Sequence, residues 1–122
     1  MTTKSDIKRE YKERKVSAGV FRIKNTVNGK IMLGSSLNLE GLLNRHRFEL
    51  SIGSHRNREL QKDWNEFGSD MFVFEVLEIV QVTDESQIKV EDELTLLEQI
   101  WLEKLQPFGE KGYNTGTKIR YA

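Results

Sequence analysis

Few side chains in this sequence can move a proton near neutral pH. The 122-residue chain has two histidines, His46 and His55, and no cysteine. An imidazole near its ordinary pKa can act as a general base, which makes His46 a candidate for that work. It can equally be a hydrogen-bonded structural residue. Glu98 follows Leu97 and precedes Ile100 and Trp101, so it falls at the edge of an apolar face, where an acid is most simply a boundary residue. Arg47, Arg56, Arg58 and Lys62 flank two central helical segments and form either a phosphate-contacting rim or a solvated charged face. The phenolic hydroxyls are Tyr11, Tyr113 and Tyr121. Tyr113 is expected to pack in the core.

Composition bounds what can position these groups. With 37% hydrophobic residues and 9% aromatics, 122 residues make one domain with a small core. The lack of cysteine excludes disulfides and thiolate metal sites and fits a cytoplasmic setting. No apolar run approaches a membrane span, and the N-terminus is charged where a signal peptide would be apolar. The net charge is zero, yet residues 1–60 hold 13 Lys and Arg against 6 Asp and Glu, and residues 61–122 hold 6 against 13. A basic first half can follow a phosphate backbone through counterion release, or the two halves can simply attract within one fold.

The element signals are ordered. Residues 1–17 are dense in charge, with Ile7 and Tyr11 on one face of a short helix or mobile arm. GVFRIKN reads as a strand, Asn28-Gly29 as a type I′ hairpin turn, and KIMLGSS as the returning strand. Asn38 caps a helix running to about Ser51, with Leu39, Leu42, Leu43, Phe48 and Leu50 as its apolar set. A second helix spans about Asn57–Phe67, with Leu60, Trp64 and Phe67 on one face and Gly68 as its stop. MFVFEVLEIV, residues 71–80, reads as a mostly buried strand. A long helix follows through Leu94, Leu97, Ile100, Trp101 and Leu105, and ends before Pro107. Trp64 and Trp101 are expected in the core. The pattern predicts a small α+β domain, a three-stranded antiparallel sheet made of an N-terminal hairpin plus one later strand and flanked by helices.

The ordered motifs carry a resemblance. GVF at 19–21, MLG at 32–34, SSLNL, NRH at 44–46, GSH at 53–55, LQKDWNEFG at 60–68, FVFEVLEIV, LLEQIWLEKL and GYN at 112–114 follow one another as in the GIY-YIG nuclease family. The chain resembles that family over roughly residues 19–115, leaving 1–18 as a charged extension and 116–122 as a tail. The resemblance implies a divalent-metal-dependent endonuclease acting on DNA, using Mg2+ or Mn2+. It implies tyrosines on both hairpin strands and an arginine on the first helix around the scissile phosphate. Phe21, Met32 and Leu42 stand at those three positions, and none carries a hydroxyl or a charge. His46, His55, Glu98 and Asn114 match a helix histidine, a second histidine, the metal-binding glutamate and the terminal asparagine.

A positioned acid or base contributes about 10²–10⁴ in rate, and a charged transition-state clamp about 10³–10⁵. Loss of these groups implies a nucleic-acid-binding domain with weak or lost cleavage, DNA being favoured over RNA. Arg45, three residues after Leu42, can turn a guanidinium toward a phosphate and so support an alternative, an active endonuclease with a rearranged site using His46, Arg45, Glu98 and Asn114. A third reading is a protein-interaction module on a reused nuclease fold. The sequence leaves the oligomeric state open.

Overall fold

A computed structural model of the chain describes residues 17–80 and 87–114, without the side chains of 87–89. The charged N-terminal stretch with Ile7 and Tyr11, and the tail with Tyr121, lie outside these residues.

Alternating apolar side chains build β1 (Ala18–Asn25), which is the centre of an antiparallel sheet of order β2-β1-β3 with β2 (Ile31–Ser36) and β3 (Phe72–Val80). The α+β expectation holds. Phe21 and Ile23 of β1 meet Leu39, Leu43 and Leu50 of α1 (Leu39–Ser51) and Leu60 of α2 (Arg58–Phe67), with Phe72 and Tyr113 completing this core. Ala18 and Val80 meet Val90 and Leu94 of α3 (Gln87–Leu105) in a second cluster. Strand alternation explains the division, because neighbouring residues of β1 face opposite sides. Each fully buried large side chain contributes about 1.5–3 kcal/mol.

Asn38 caps α1 as expected, and α2 begins beside Asn57, which the structure shows to be its cap. Asn38 Oδ1 accepts the Gly41 N–H at 3.0 Å, and Asn57 Oδ1 accepts the Leu60 N–H at 3.0 Å. Gly68, at φ 92°, ends α2 in a conformation that favours glycine.

Four expectations need correction. The hairpin turn is not type I′, since Gly29 alone has positive φ there and the loop runs from Thr26 to Lys30. Asn25 Oδ1 instead accepts the Val27 N–H, and the Asn28 side chain reaches Asp63 at 3.3 Å, which widens the turn. Phe48 is 63% exposed, because the buried stripe of α1 runs through Leu39, Leu43 and Leu50 on another face. β3 is less buried than expected, with Val73, Val76 and Ile79 exposed on a strand at the sheet edge. Trp101 belongs to neither core; its indole N–H donates to Glu78 Oε1 at 3.0 Å and Lys104 lies over its ring. The apolar seam of α3 runs instead through Val90, Leu94 and Leu97, leaving Ile100 exposed.

Two local devices shape the surroundings of the site. The β1–β3 register slips between Val20 and Phe21, so that Leu77 forms a bulge opposite Phe21. The chain after α3 returns along the free edge of β2, where Gly112 bridges Ile31 in parallel and the Tyr113 N–H donates to Ile31 O at 2.9 Å. Asn114 extends this pairing by accepting the Leu33 N–H and donating to Leu33 O. The edge strand is thereby covered.

Candidate active-site cleft

Residues of α1 four and three apart share one face, and this places Leu42, Arg45, His46 and Glu49 together. With Met32 of β2 and His55, Arg56 and Asn57 from the loop before α2, they line a cleft of about 370 Å³. Two of the three motif positions, Met32 and Leu42, are therefore in its wall. Phe21 lies beneath, 1% exposed, its ring tilted against His46 at 5.5 Å between centroids. No phenol or guanidinium comes from these three positions.

The loop carrying His55 is held on both sides. The His55 N–H donates to Gln61 Oε1, and Gln61 Nε2 donates to Leu50 O at the end of α1. His55 is only 5% exposed, and its two ring nitrogens are engaged. Nδ1 accepts the Asn57 N–H at 3.0 Å, and Nε2 lies 2.7 Å from His46 Nδ1. Burial, and then the neighbouring His55, push the His46 pKa down to about 4, with nearby Glu49 opposing. Burial also lowers His55. Both rings are neutral at pH 7.

The predicted site residues divide. Arg45, His46, His55 and Arg56 come together in the cleft. Arg45 pairs with Glu49 at 3.7 Å through a largely exposed guanidinium, a weak contact of the i,i+4 kind. Arg47 points elsewhere, over the Phe74 ring at 4.4 Å. Arg58 and Lys62 are exposed on α2 and do not line the cleft. Asn114 is spent on the backbone of Leu33. Glu98 is half-buried and does not line the cleft. Burial raises its pKa, while hydrogen bonds from the Ser35 side chain and backbone lower it. Ser35 pairs with Val20, and Gly34 with Phe21, so adjacent residues of β2 turn the Glu98 anchor and the Phe21 ring to opposite sides of the pleat.

As a donor set for Mg2+ or Mn2+, Glu98 fits as a single hard oxygen ligand, with water and phosphate oxygens needed for the rest. Among the described residues, the compact group of metal-ligating side chains is another one, His46, Glu49 and His55, whose ligand atoms lie within 4.8 Å of one another.

Four polar residues outside the sequence motifs, Asn25, Glu49, Gln61 and Asp63, shape this region. Tyr113 is buried as expected, but its hydroxyl donates to Asp63 Oδ2 at 2.6 Å and accepts from Asn25 Nδ2 at 3.0 Å. Asp63 lies three residues after Leu60, so helical spacing alone places it on the inward face of α2. Glu49, three after His46, was open to the same reasoning. Gln61 carried no comparable signal.

The fold, a three-stranded antiparallel sheet flanked by helices, is that of a nuclease domain of known structure. No family model matches the chain. It is 30% identical over 99 residues to intron-associated endonuclease 1 of Enterobacteria phage T4, an alignment covering 81% of this chain and 37% of that protein. It superposes on the catalytic domain of the homing endonuclease I-TevI with a TM-score of 0.67 at 29% identity, covering 82% of this chain and 99% of that one. A mutant of the same catalytic domain gives a TM-score of 0.65 at 28% identity, covering 80% and 92%. The chain is homologous to the I-TevI catalytic domain, in keeping with its resemblance to the GIY-YIG nuclease family. It spans little more than a third of the length of the phage endonuclease. No helix among the described residues is long and apolar enough to cross a membrane.

Proposed function

We propose that this domain, taken as residues 19–115, binds nucleic acid on a nuclease scaffold and has weak or lost phosphodiesterase activity. DNA is favoured over RNA, since its homologue is an intron endonuclease. The observation that carries the reading is the wall of the cleft, where Met32 and Leu42 face the same space as His46 and the buried Phe21 lies below. These side chains cannot take a proton from water or neutralise a pentavalent phosphate. Arg45 and Arg56 at the same cleft can still pair with backbone phosphates. Arg58 and Lys62, exposed on α2, are further candidates for phosphate contact.

A divalent cation, if bound, would supply charge neutralisation on a phosphate oxygen, and Glu98, which lies outside the lining of the cleft, would offer it one oxygen ligand. Filter-binding titrations with duplex, branched and single-stranded DNA test the reading. Binding that weakens steeply with salt is expected, and no salt-sensitive binding to any of the three removes it.

A rearranged active endonuclease has one specific observation in its favour, that Arg45 and His46 share the cleft with Leu42. It requires Mn2+-dependent nicking that disappears in Glu98→Ala. Equal nicking by the two proteins points to a contaminant.

A further inference from the structure

The two histidines of the cleft are joined in a way that determines where their protons sit. A backbone amide can only donate, so the Asn57 N–H facing His55 Nδ1 at 3.0 Å leaves that nitrogen as an acceptor. A neutral His55 then carries its proton on Nε2. That N–H points at His46 Nδ1, 2.7 Å away, which must in turn accept. His46 therefore carries its own proton on Nε2. Adding a proton to either ring places two N–H groups against each other, at Asn57 or between the rings. The contact thus stands only while both rings are neutral.

The outer nitrogen of His46 has no hydrogen-bond partner among the described residues, and no buried side-chain nitrogen or oxygen among them lacks one. His46 is partly exposed and lines the cleft, and Nε2 is the ring nitrogen not engaged with His55. The arrangement also bears on the compact group formed with Glu49. A metal held between the rings would need the Nε2 lone pair of His55, while Asn57 already occupies the Nδ1 lone pair. A metal-ligating histidine ordinarily donates its other N–H outward, the reverse of this pattern.

We propose that His55 is a positioning residue that locks His46 in the Nε2–H form, so that His46 meets an anionic phosphate oxygen as a neutral hydrogen-bond donor and not as a general base. The phosphate part rests on the nucleic-acid reading above; the tautomer lock does not. An imidazole in this form has no lone pair facing the cleft with which to take a proton from water.

Nitrogen-15 NMR of the histidine rings in the whole chain at pH 7 reads the lock directly. Protonated Nε2 and bare Nδ1 are expected on both rings, and a His46 ring protonated at Nδ1 overturns the lock. In His55→Gln, whose amide can still donate to His46, the Nε2–H form is retained. In His55→Ala it is lost to a mixture of tautomers, and a His46 that stays fully Nε2–H in that folded variant contradicts a positioning role. Should His55→Ala fail to fold, the wild-type and His55→Gln spectra decide alone. Zn2+ is expected to leave the ring signals in place, and their displacement at one equivalent overturns the lock in favour of a metal site. Titration with a short DNA duplex is expected to shift the His46 Nε2–H signal without changing the tautomer. Binding that leaves this signal unmoved overturns the donor role while the nucleic-acid reading stands. No binding, with the Nε2–H form in place, removes the phosphate part and leaves the lock intact.

Discussion

The ring of Phe21 lies directly across Gly34, its partner on β2, so that a Cβ at residue 34 would fall 2.8 Å from Phe21 Cζ. The ring is held below by the core and beside by His46, and has no room to retreat. Gly34→Ala is therefore expected to destabilise the domain by about 1–3 kcal/mol, as overpacking does. Urea unfolding checks it; an unchanged midpoint shows that the ring gives way.

The hydroxyl of Tyr113 is the hub of a buried polar cluster with Asp63 and Asn25, which are 8% and 0% exposed. Burial and the bond to Asp63 push its pKa up from the usual phenol value, so it is a neutral donor at pH 7. Tyr113→Phe strands Asp63 with only its longer contact to Asn28 and is expected to cost about 1–3 kcal/mol. Thermal unfolding measures the loss.

Asn114 closes the exposed edge of β2 with two side-chain bonds to Leu33. Asn114→Ala should cost about 1–2 kcal/mol and accelerate amide hydrogen exchange at Leu33. Protection that persists at Leu33 places the amide's protection elsewhere.

Acid should loosen the histidine pair. The folded pKa of His46, about 4, lies below its unfolded value of 6.5, so the unfolded chain binds more protons between the two. Stability contributed by the neutral ring is present above pH 6.5, declines as the pH falls through this window, and is lost below about pH 4. Because the ring is partly exposed, the change is about 1–2 kcal/mol, less than the full shift implies. Arg45, Glu49 and His55 face the ring, and Glu98, raised by burial, works in the opposite sense. A pH series of melting temperatures for the wild type and His46→Gln isolates the His46 share, and parallel curves contradict it.

Much of the scaffold was legible because it rests on local signals. The cap Asn38, the helix start near Asn57, the apolar spacing of Leu39, Leu43 and Leu50, and the stop at Gly68 each act within a few residues. The parts that escaped depend on distant partners. Asn28 looked like half of a tight turn, but its side chain is drawn to Asp63, 35 residues away. Asn114 read as a supporting site residue, and only the return of the chain along β2 shows it bonded to the Leu33 backbone. Phe48 and Val76 followed an apolar pattern yet remain exposed, because hydrophobicity alone does not say which face a neighbour will cover. In the cleft, Phe21, Met32 and Leu42 were visible by type, while the orientation of the His46–His55 pair depends on one backbone amide.

On the proposed function, chemistry is missing from Phe21, Met32 and Leu42 while the scaffold remains. The triple variant Phe21→Tyr, Met32→Tyr, Leu42→Arg tests it, assayed beside the wild type for Mn2+-dependent nicking of a supercoiled plasmid and checked for folding by circular dichroism. A folded variant that nicks at least about 10³-fold faster than the wild type is the predicted result. A wild type that already nicks as fast as the variant, and loses that activity in Glu98→Ala, would contradict it.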